Sequence, residues 1–234
     1  MSDVQIVFQD EFIVAVNKPV DLPVHKNDFM PVDAAYLTKE VGRLTGKSVF
    51  PVHRLDSKTS GLIVLAFSRE VASKLTKQFE QKQIKKTYAV ICKGTPGEGR
   101  FNKPVLIKKK KKRVNALTRY KTIKSISTQI SYKEIHNVEL SLVMAYPETG
   151  RWHQIRQHFA FERNDILGDT QHGDWTLNKI MTHHTDVKRL LLHACSLTFM
   201  HPQSDEWQTI DVPIPDEFEK VLEQLDGLEF HYSE

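Results

Sequence analysis

The stretch HRLDSKTSGLIVLAF, residues 53–67, decides how this chain folds. Its second half, Leu62 to Phe67, is an unbroken apolar run of strand length, which predicts a strand buried on both faces. Its first half is a cluster of charged and hydroxyl side chains that leads directly into that strand. A loop residue beside a rigid strand is held in a fixed position, so Asp56 is a candidate functional carboxylate. The alternative is an Asp that only accepts hydrogen bonds from loop amides.

The residues before this stretch predict a β-hairpin, an ordered loop and a helix. Ile6–Phe8 and Phe12–Val16 are β-branched and aromatic runs on either side of a polar turn, a pattern typical of a hairpin. The next stretch, NKPVDLPVH (17–25), holds two prolines, which exclude a helix or a central strand and predict an ordered loop. Apolar residues at helical spacing then predict a helix over 33–44 that is capped by Asp33.

The residues after 67 predict strands and helices that alternate without a regular βαβ rhythm. Ser68 is expected to cap a helix whose apolar residues repeat every four positions. Asp216 and Glu219 predict a capping box at the start of the last helix. The remaining predicted elements are strands at 88–92, 138–145 and 190–199 and helices at 152–162 and 216–225. This order favours an α+β fold around a mixed, largely antiparallel sheet with flanking helices.

Composition indicates an ordinary soluble protein. The chain has 234 residues, of which 40% are hydrophobic and 26% are charged. No apolar run approaches the roughly eighteen residues of a membrane span, and the N-terminus lacks the basic and apolar stretches of a secretory signal. Cys92 and Cys195 stand in unrelated contexts and fit reduced thiols. We therefore expect a cytoplasmic protein without membrane contact.

The charge of the chain is distributed unevenly. The net charge is +4, yet the segment 99–133 contains twelve Lys and Arg and no acid, so the remainder carries −8. The last stretch, 201–234, has ten acids and one lysine. Clustered cations of this kind could neutralise several phosphates of a nucleic acid. The alternative is a lysine-rich loop that is only solvated.

A second polar cluster lies in TGRWHQIRQH, residues 149–158. Arg151, His153, Arg156 and His158 are concentrated at the start of one predicted helix, which indicates either a functional site or a solvated helix face.

The two polar clusters together resemble the RluA-type pseudouridine synthases, whose motifs read HRLDxxTSG and TGRxHQIRxH. Further stretches resemble motifs of the same family and follow its order: NKPVDLPVH (17–25), KKTYAVICKG (85–94), NALTRY (115–120), ILGDTQHGD (166–174) and RLLLHACSLTFMHP (189–202). The resemblance extends from about residue 5 to residue 225. It implies one pseudouridine synthase catalytic domain over 1–234. Because the hairpin begins by Ile6, we expect no preceding S4-type RNA-binding domain.

This family isomerises uridine in RNA to pseudouridine without a metal or a cofactor. The sequence agrees, since it has no Gly-rich phosphate loop. The histidine pairs His183 with His184 and His153 with His158 are poorly spaced for joint zinc ligation. We expect neither a metal nor a cofactor.

The resemblance implies roles for three catalytic residues. Asp56 matches the essential carboxylate, which either attacks the ribose C1′ or removes the 2′ proton. Arg156 matches the arginine that pairs with that carboxylate and keeps it charged. Tyr88 matches the active-site tyrosine, whose ring can stack on uracil and whose hydroxyl can share in proton transfer. The alternative for Tyr88 is a core aromatic of its strand.

Other residues are expected to contact RNA. Arg54 matches the residue that fills the gap left when the target base flips out of its stack. Arg151 and Gln154 could support the site or hold phosphate. The basic run is expected to reach the RNA backbone through Lys109, Lys110, Lys111, Lys112 and Arg113.

The stretch GDTQHGD (168–174) bears on which RNA is modified. His172 and Asp174 within it, and QFEQKQIKK (78–86), resemble the tRNA pseudouridine synthase C group of the family, which modifies uridine 65 of tRNA. We therefore expect an enzyme that acts on tRNA. Nothing in the sequence indicates an oligomer, and we expect a monomer by default. The alternatives are a synthase for a ribosomal RNA uridine, a non-catalytic RNA-binding module, and a metal-dependent nuclease that uses Asp56.

Overall fold

The computed structural model describes residues 4–26, 30–31, 33–107, 111–132, 134–185 and 187–232. In chain order the elements are β1 (Gln5–Gln9), β2 (Ile13–Lys18), α1 (Leu37–Thr45), β3 (Phe50–Pro51), β4 (Ser60–Ala66), α2 (Arg69–Glu80), β5 (Lys85–Lys93), β6 (Glu98–Phe101), β7 (Val105–Ile107), β8 (Lys112–Val114), β9 (Thr118–Ser127), β10 (Gln129–Tyr132), β11 (Glu139–Pro147), α3 (Gln154–Phe161), α4 (Trp175–His184), β12 (Leu192–Met200), β13 (Trp207–Asp211), α5 (Asp216–Leu225) and β14 (Glu229–Tyr232). Among the helices of these residues, none has the length and apolar character that crossing a membrane requires.

The chain packs as two compact units. The first contains residues up to Lys86 and His193–Pro213, and the second contains Thr87–Leu192 and the residues from Ile214 onward. That 1–234 acts as one catalytic domain stays a prediction.

The first unit is built on a sheet with the order β1-β2-β4-β12-β13, with β3 beside β4. Its pairs are antiparallel except β4 with β12, which run parallel. At that parallel contact Gly61 has a φ of 108°, and a Cβ there would lie 2.2 Å from the Ala194 carbonyl oxygen. Only glycine allows the two strands to approach so closely. The predicted hairpin is confirmed as β1 and β2.

The core of the first unit forms around β4. Every residue of β4 is buried, which confirms the prediction of a strand covered on both faces. Helix α2 packs Val71 and Leu75 into this core. Its predicted cap is confirmed, because the Ser68 hydroxyl accepts a hydrogen bond from the Val71 amide at 3.2 Å.

Helix α1 begins later than predicted. It starts at Leu37 and not at Asp33, and Tyr36 occupies the N-cap position. The amides of Leu37 and Thr38 donate to the carbonyl oxygens of Pro23 and Val24 at 2.8 and 3.1 Å. Loop carbonyls therefore satisfy the first-turn donors that a side-chain cap would otherwise serve. The prediction of Asp33 as the cap is wrong.

The second unit contains the antiparallel order β5-β11-β9-β6, the antiparallel pair β7-β8 and the parallel pair β10-β14. Its core contains Val90, Val143 and Leu192 from strands and Ile155 and Phe159 from α3. The mixed, largely antiparallel α+β architecture predicted from the sequence is confirmed in both units.

Helix α5 spans Asp216–Leu225, as predicted, but its cap differs from the prediction. The capping box is wrong, because Pro215 occupies the N-cap position of α5 and no side chain caps it. Glu219 instead accepts a hydrogen bond from Lys124 at 2.6 Å. Helix α4 was not predicted, although Asp174 caps it by accepting from the Leu177 amide at 3.1 Å.

Candidate active site

Asp56 lies half-buried in the loop that joins β3 to β4. Its carbonyl oxygen accepts a hydrogen bond from the Thr59 amide at 3.0 Å, which closes a tight turn directly before the strand. Ser60, the first residue of β4, is hydrogen-bonded to His193 Nδ1 at 2.8 Å. The carboxylate is thus carried by a loop whose far end is anchored to two paired strands.

A buried lysine joins this loop to the stretch 17–25. Lys18 is fully buried, and its ammonium donates to the carbonyl oxygens of Pro19 at 2.8 Å, Leu22 at 3.0 Å and Ser57 at 3.1 Å. A buried ammonium needs such acceptors, because burial without them costs several kcal/mol. Lys18 therefore fixes the residue next to Asp56. Sequence reasoning gave Lys18 no role, although it belongs to the NKP motif that supports the family resemblance.

His53 anchors the beginning of the same loop. Its Nε2 accepts a hydrogen bond from the Val64 amide at 3.0 Å, and its ring stacks on Phe79 at a centroid distance of 4.6 Å. Burial, together with the nearby Lys86 ammonium, lowers the pKa of His53 to about 3. The imidazole is therefore neutral at neutral pH and acts as an acceptor for the strand. Between the two anchors Leu55 is buried and Arg54 is exposed, which leaves the guanidinium open to a ligand.

Tyr88 lies on β5 of the second unit, opposite Ala145 of β11. Its ring is half-buried and packs against the apolar cluster of that unit. Tyr88 therefore contributes to the core in part, as the alternative of a core aromatic requires, but the residue also remains partly accessible.

Arg156 lies on α3 and forms a buried ion pair with Asp169. Its Nε and Nη2 atoms donate to Asp169 Oδ2 and Oδ1, both at 2.7 Å. The two side chains are only 5% and 1% exposed. Burial opposes ionisation of Asp169, but the hydrogen bonds from Arg156 and from the amides of Gln171 and His172 outweigh it and hold the pKa of this carboxyl below its usual range.

Asp169 was missed by sequence reasoning. It stands in ILGDTQHGD directly after Gly168, whose φ is 76° and whose Cβ position would lie 1.8 Å from the Arg189 carbonyl oxygen. The required glycine and the acid after it were the available signal. The ion pair observed for Arg156 is thus with Asp169, and its expected pairing with Asp56 stays a prediction.

Two histidines and a tryptophan extend this ion pair. Arg156 Nη1 lies 3.1 Å from His153 Nε2, and His153 Nδ1 lies 2.9 Å from His172 Nε2. The Trp152 ring stacks on His153 at a centroid distance of 3.8 Å. His158, by contrast, is fully buried and hydrogen-bonded to Thr118 at 2.9 Å.

Gln154 is fully engaged inside the protein. Its Oε1 accepts from the Thr149 hydroxyl at 2.6 Å and from the Arg151 amide at 3.0 Å. Its Nε2 donates to the Leu117 carbonyl and the Thr118 hydroxyl, both at 3.0 Å. A side-chain amide has two donors and two acceptor sites, so these bonds use its whole capacity. The arrangement fits a support for the turn at 149–153, while Arg151 itself is exposed.

Carboxylates of the chain already pair with part of the basic segment. These pairs are Lys103 with Glu162, Arg119 with Glu148, Lys121 with Glu98 and Lys124 with Glu219, at 2.6–3.3 Å. Lys111 and Lys112 lie exposed on the β7-β8 hairpin. Arg113 donates to the Pro104 carbonyl at 3.1 Å. Lys109 and Lys110 lie outside the described residues.

Comparisons with known proteins agree with this reading of sequence and fold. A family model described as RNA pseudouridylate synthase matches residues 12–161. The tRNA pseudouridine synthase C of Vibrio vulnificus (strain CMCP6) is 36% identical over 94% of this chain and 93% of its own length. The protein of the same name from Pasteurella multocida (strain Pm70) is 37% identical over 88% and 89%.

Solved structures show the same architecture. Human RNA Pseudouridylate Synthase Domain Containing 4 superimposes with a TM-score of 0.70 at 26% identity, over 94% of this chain and 92% of that one. Human RNA Pseudouridylate Synthase Domain Containing 1 gives a TM-score of 0.71 at 19% identity and so supports the fold alone. The motif order, the fold and these relatives agree: the chain belongs to the RNA pseudouridylate synthase family, of the RluA type, and is an isomerase that acts on RNA.

Proposed function

We propose that this chain converts uridine 65 of tRNA to pseudouridine and that Asp56 is the carboxylate on which the reaction depends. The substrate assignment is supported by the relatives named tRNA pseudouridine synthase C, which match nearly the whole chain. The observation that carries the mechanistic assignment is the position of Asp56, on a loop held by a buried lysine at Ser57 and a neutral histidine at position 53.

The reaction needs no change in atom count. The bond between ribose C1′ and uracil N1 breaks, the base rotates, and a bond forms between C1′ and C5; the C5 proton is lost and N1 gains one. Asp56 assists by attack on C1′ or by removal of the 2′ proton, both of which require the ionised carboxylate. In this proposal Arg156 favours that ionised form, and the Tyr88 ring stacks on the uracil.

RNA binding in this proposal uses few cations. Arg54 fills the gap left by the flipped base, and Arg151 and the β7-β8 hairpin contact phosphates. Lys109 and Lys110 extend the hairpin cations, although both lie outside the described residues. We assign Gln154 to shaping its turn, because its hydrogen bonds are already made. The proposal also includes that the enzyme is a monomer and acts in the cytoplasm.

The test is an in vitro conversion assay with purified protein and unmodified tRNA. We expect pseudouridine at position 65, and no product when that uridine and its pairing partner are replaced by another base pair. Asp56→Asn should lower the rate at least about 1000-fold, the scale of losing a reacting group. The matched control is Asp211→Asn, which removes an exposed carboxylate of the same unit. Conversion of a uridine in ribosomal RNA but not in tRNA would favour a ribosomal RNA pseudouridine synthase. Full activity of Asp56→Asn would contradict the role proposed for the Asp56 carboxylate.

A further inference from the structure

The solvent side of helix α4 carries an aromatic ring and a cation but no acid. The helix contains neither Asp nor Glu. Its exposed residues are Trp175, Lys179, Thr182 and His183, which stand at positions i, i+4, i+7 and i+8 and therefore share one face. Helix α4 thus presents a surface without negative charge of its own.

Trp175 is unusually exposed for its size. It is 65% exposed, whereas rings this large normally pack into cores and interfaces. The Lys179 ammonium lies 4.2 Å from the centroid of the indole ring, a cation–π contact between residues four apart on one helix. The ammonium covers one side of the ring, and much of the remaining ring surface stays open to solvent.

The acid that precedes the helix is turned away from this surface. The Asp174 carboxylate accepts hydrogen bonds from the Leu177 amide at 3.1 Å, from the Tyr132 hydroxyl at 2.9 Å and from Lys93 at 3.2 Å. Lys179, in contrast, has no ion-pair partner within the part of the chain that the structure describes. Its charge is therefore available to an anion from outside the protein.

Helix α5, which packs against α4, is acidic, but some of its carboxylates are already paired. Glu217 binds Arg189, and Glu219 binds Lys124. These pairs neutralise part of the negative charge beside α4.

The surface of α4 is attached to the loop that holds Arg156. Asp169 lies in that loop and forms the bidentate ion pair with Arg156. Asn178 of α4 accepts a hydrogen bond from the Gly168 amide at 2.8 Å and donates to the Asp169 carbonyl oxygen at 3.0 Å. The helix is therefore held at a fixed position next to the Arg156–Asp169 pair, and an RNA bound beside Arg156 lies within reach of α4.

We propose that Trp175 and Lys179 form a stacking platform for an unpaired nucleotide of the substrate RNA, outside the target uridine. A nucleotide combines the two groups that this platform can bind, a flat base for the indole and a phosphate for the ammonium. Because every base has a π-face, the contact contributes affinity with little choice of sequence. The inference rests on the proposed function and deepens it, since it adds a binding site for the same RNA.

Two substitutions of Trp175 separate stacking from the mere presence of an apolar side chain. Trp175→Leu keeps an apolar residue of good helix propensity but removes the aromatic face, whereas Trp175→Tyr keeps such a face. With an unmodified tRNA transcript, we expect Trp175→Leu to weaken binding by about 5- to 100-fold and Trp175→Tyr to weaken it much less. The loss should raise KM and leave kcat and thermal stability unchanged.

The matched control is Trp207→Leu, which removes a 58% exposed tryptophan of the first unit and should leave the affinity for tRNA unchanged. Natural affinity of Trp175→Leu, or equal losses at positions 175 and 207, would overturn the inference.

The role of Lys179 is tested by the salt dependence of binding. Lys179→Gln should reduce the slope of log affinity against log salt by about 0.7 to 0.9. Lys220→Gln removes the same charge from an exposed position of α5 and should reduce the slope much less. Equal reductions in the two variants would overturn the assignment of a phosphate contact to Lys179.

A further readout does not depend on catalysis. Bound tRNA should protect Trp175 from quenching of its fluorescence by acrylamide, so Trp175→Phe should lower the protected part of the emission and Trp207→Phe should not. Equal protection in these two variants overturns the inference. Binding of this tRNA without conversion would contradict the proposed function alone, because the affinities and the quenching still decide whether a nucleotide stacks on Trp175.

Discussion

The sequence indicates a functional role for some individual residues and not for others. Asp56 and Arg156 could be singled out because they stand in dense polar strings. Lys18 and Asp169 were not singled out, because their roles arise from contacts with segments distant along the chain. The Lys18 ammonium reaches Ser57 and Asp169 reaches Arg156 only after folding. Sequence patterns of helix and strand periodicity contain no information about such partners.

The Arg156–Asp169 pair should be required for stability. Asp169→Asn removes the bidentate carboxylate that faces a nearly buried guanidinium, which costs about 3 kcal/mol of the free energy of unfolding. Chemical denaturation of the variant and the natural protein measures this difference. The control, Asp226→Asn, removes an exposed carboxylate of the same unit and should change little. A variant at position 169 with natural stability would show that the pair does not stabilise the fold.

At the scale of elements, prediction succeeded where one periodicity dominated. Strand β4 is apolar throughout, and α2 has both its apolar repeat and its Ser68 cap. The start of α1 and the N-caps of α1 and α5 were mispredicted, because backbone carbonyls or a proline occupy the places assigned to acidic caps. Strands β6, β8, β9 and β10 were missed because most of their residues are polar, and β7 was missed because its three apolar residues are too few to form a strand pattern.

The contact of His53 with β4 makes stability depend on pH. The pKa of His53 is about 3 in the folded protein and about 6.5 when unfolded. As the pH falls, His53 therefore takes up a proton in the unfolded chain before it does so in the folded protein. This contribution to stability is fully present above about pH 6.5 and is lost progressively towards pH 3.

His53→Gln should retain the acceptor for the Val64 amide and remove the titration. The loss of unfolding free energy between pH 7 and pH 5 should then be smaller by about 2 kcal/mol. Urea titrations at the two pH values measure it, with His136→Gln, an exposed histidine, as the control. Identical pH dependence of the His53 variant and the natural protein would contradict the role given to this ring.

At the scale of the whole molecule, net charge described the chain poorly. The basic segment 99–133 carries twelve cations, and four of those that the structure describes pair with carboxylates of the chain itself. One of those carboxylates, Glu219, comes from the acidic C-terminal stretch. Folding therefore neutralises part of the positive charge of the basic segment, while cations on the β7-β8 hairpin remain exposed.

The difference between lysines that pair with carboxylates and lysines that are exposed predicts which of them bind RNA. Replacing Lys111 and Lys112 with Gln should weaken RNA binding and reduce the slope of log affinity against log salt by about one to two units. Replacing Lys121 and Lys124, which are paired with Glu98 and Glu219, removes the same charge and should change the slope much less. Binding titrations over a range of salt concentrations measure both. Equal slopes for the two variants would show that the hairpin lysines are only solvated and do not contact RNA.

The most direct test of the central claim is nucleotide-resolution mapping of pseudouridine in total RNA from cells that lack the gene. Cells complemented with the natural chain should show pseudouridine at position 65 of tRNA, and cells complemented with Asp56→Asn should lack it at equal protein level. An unchanged map after deletion, or restoration of the modification by Asp56→Asn, would contradict the account.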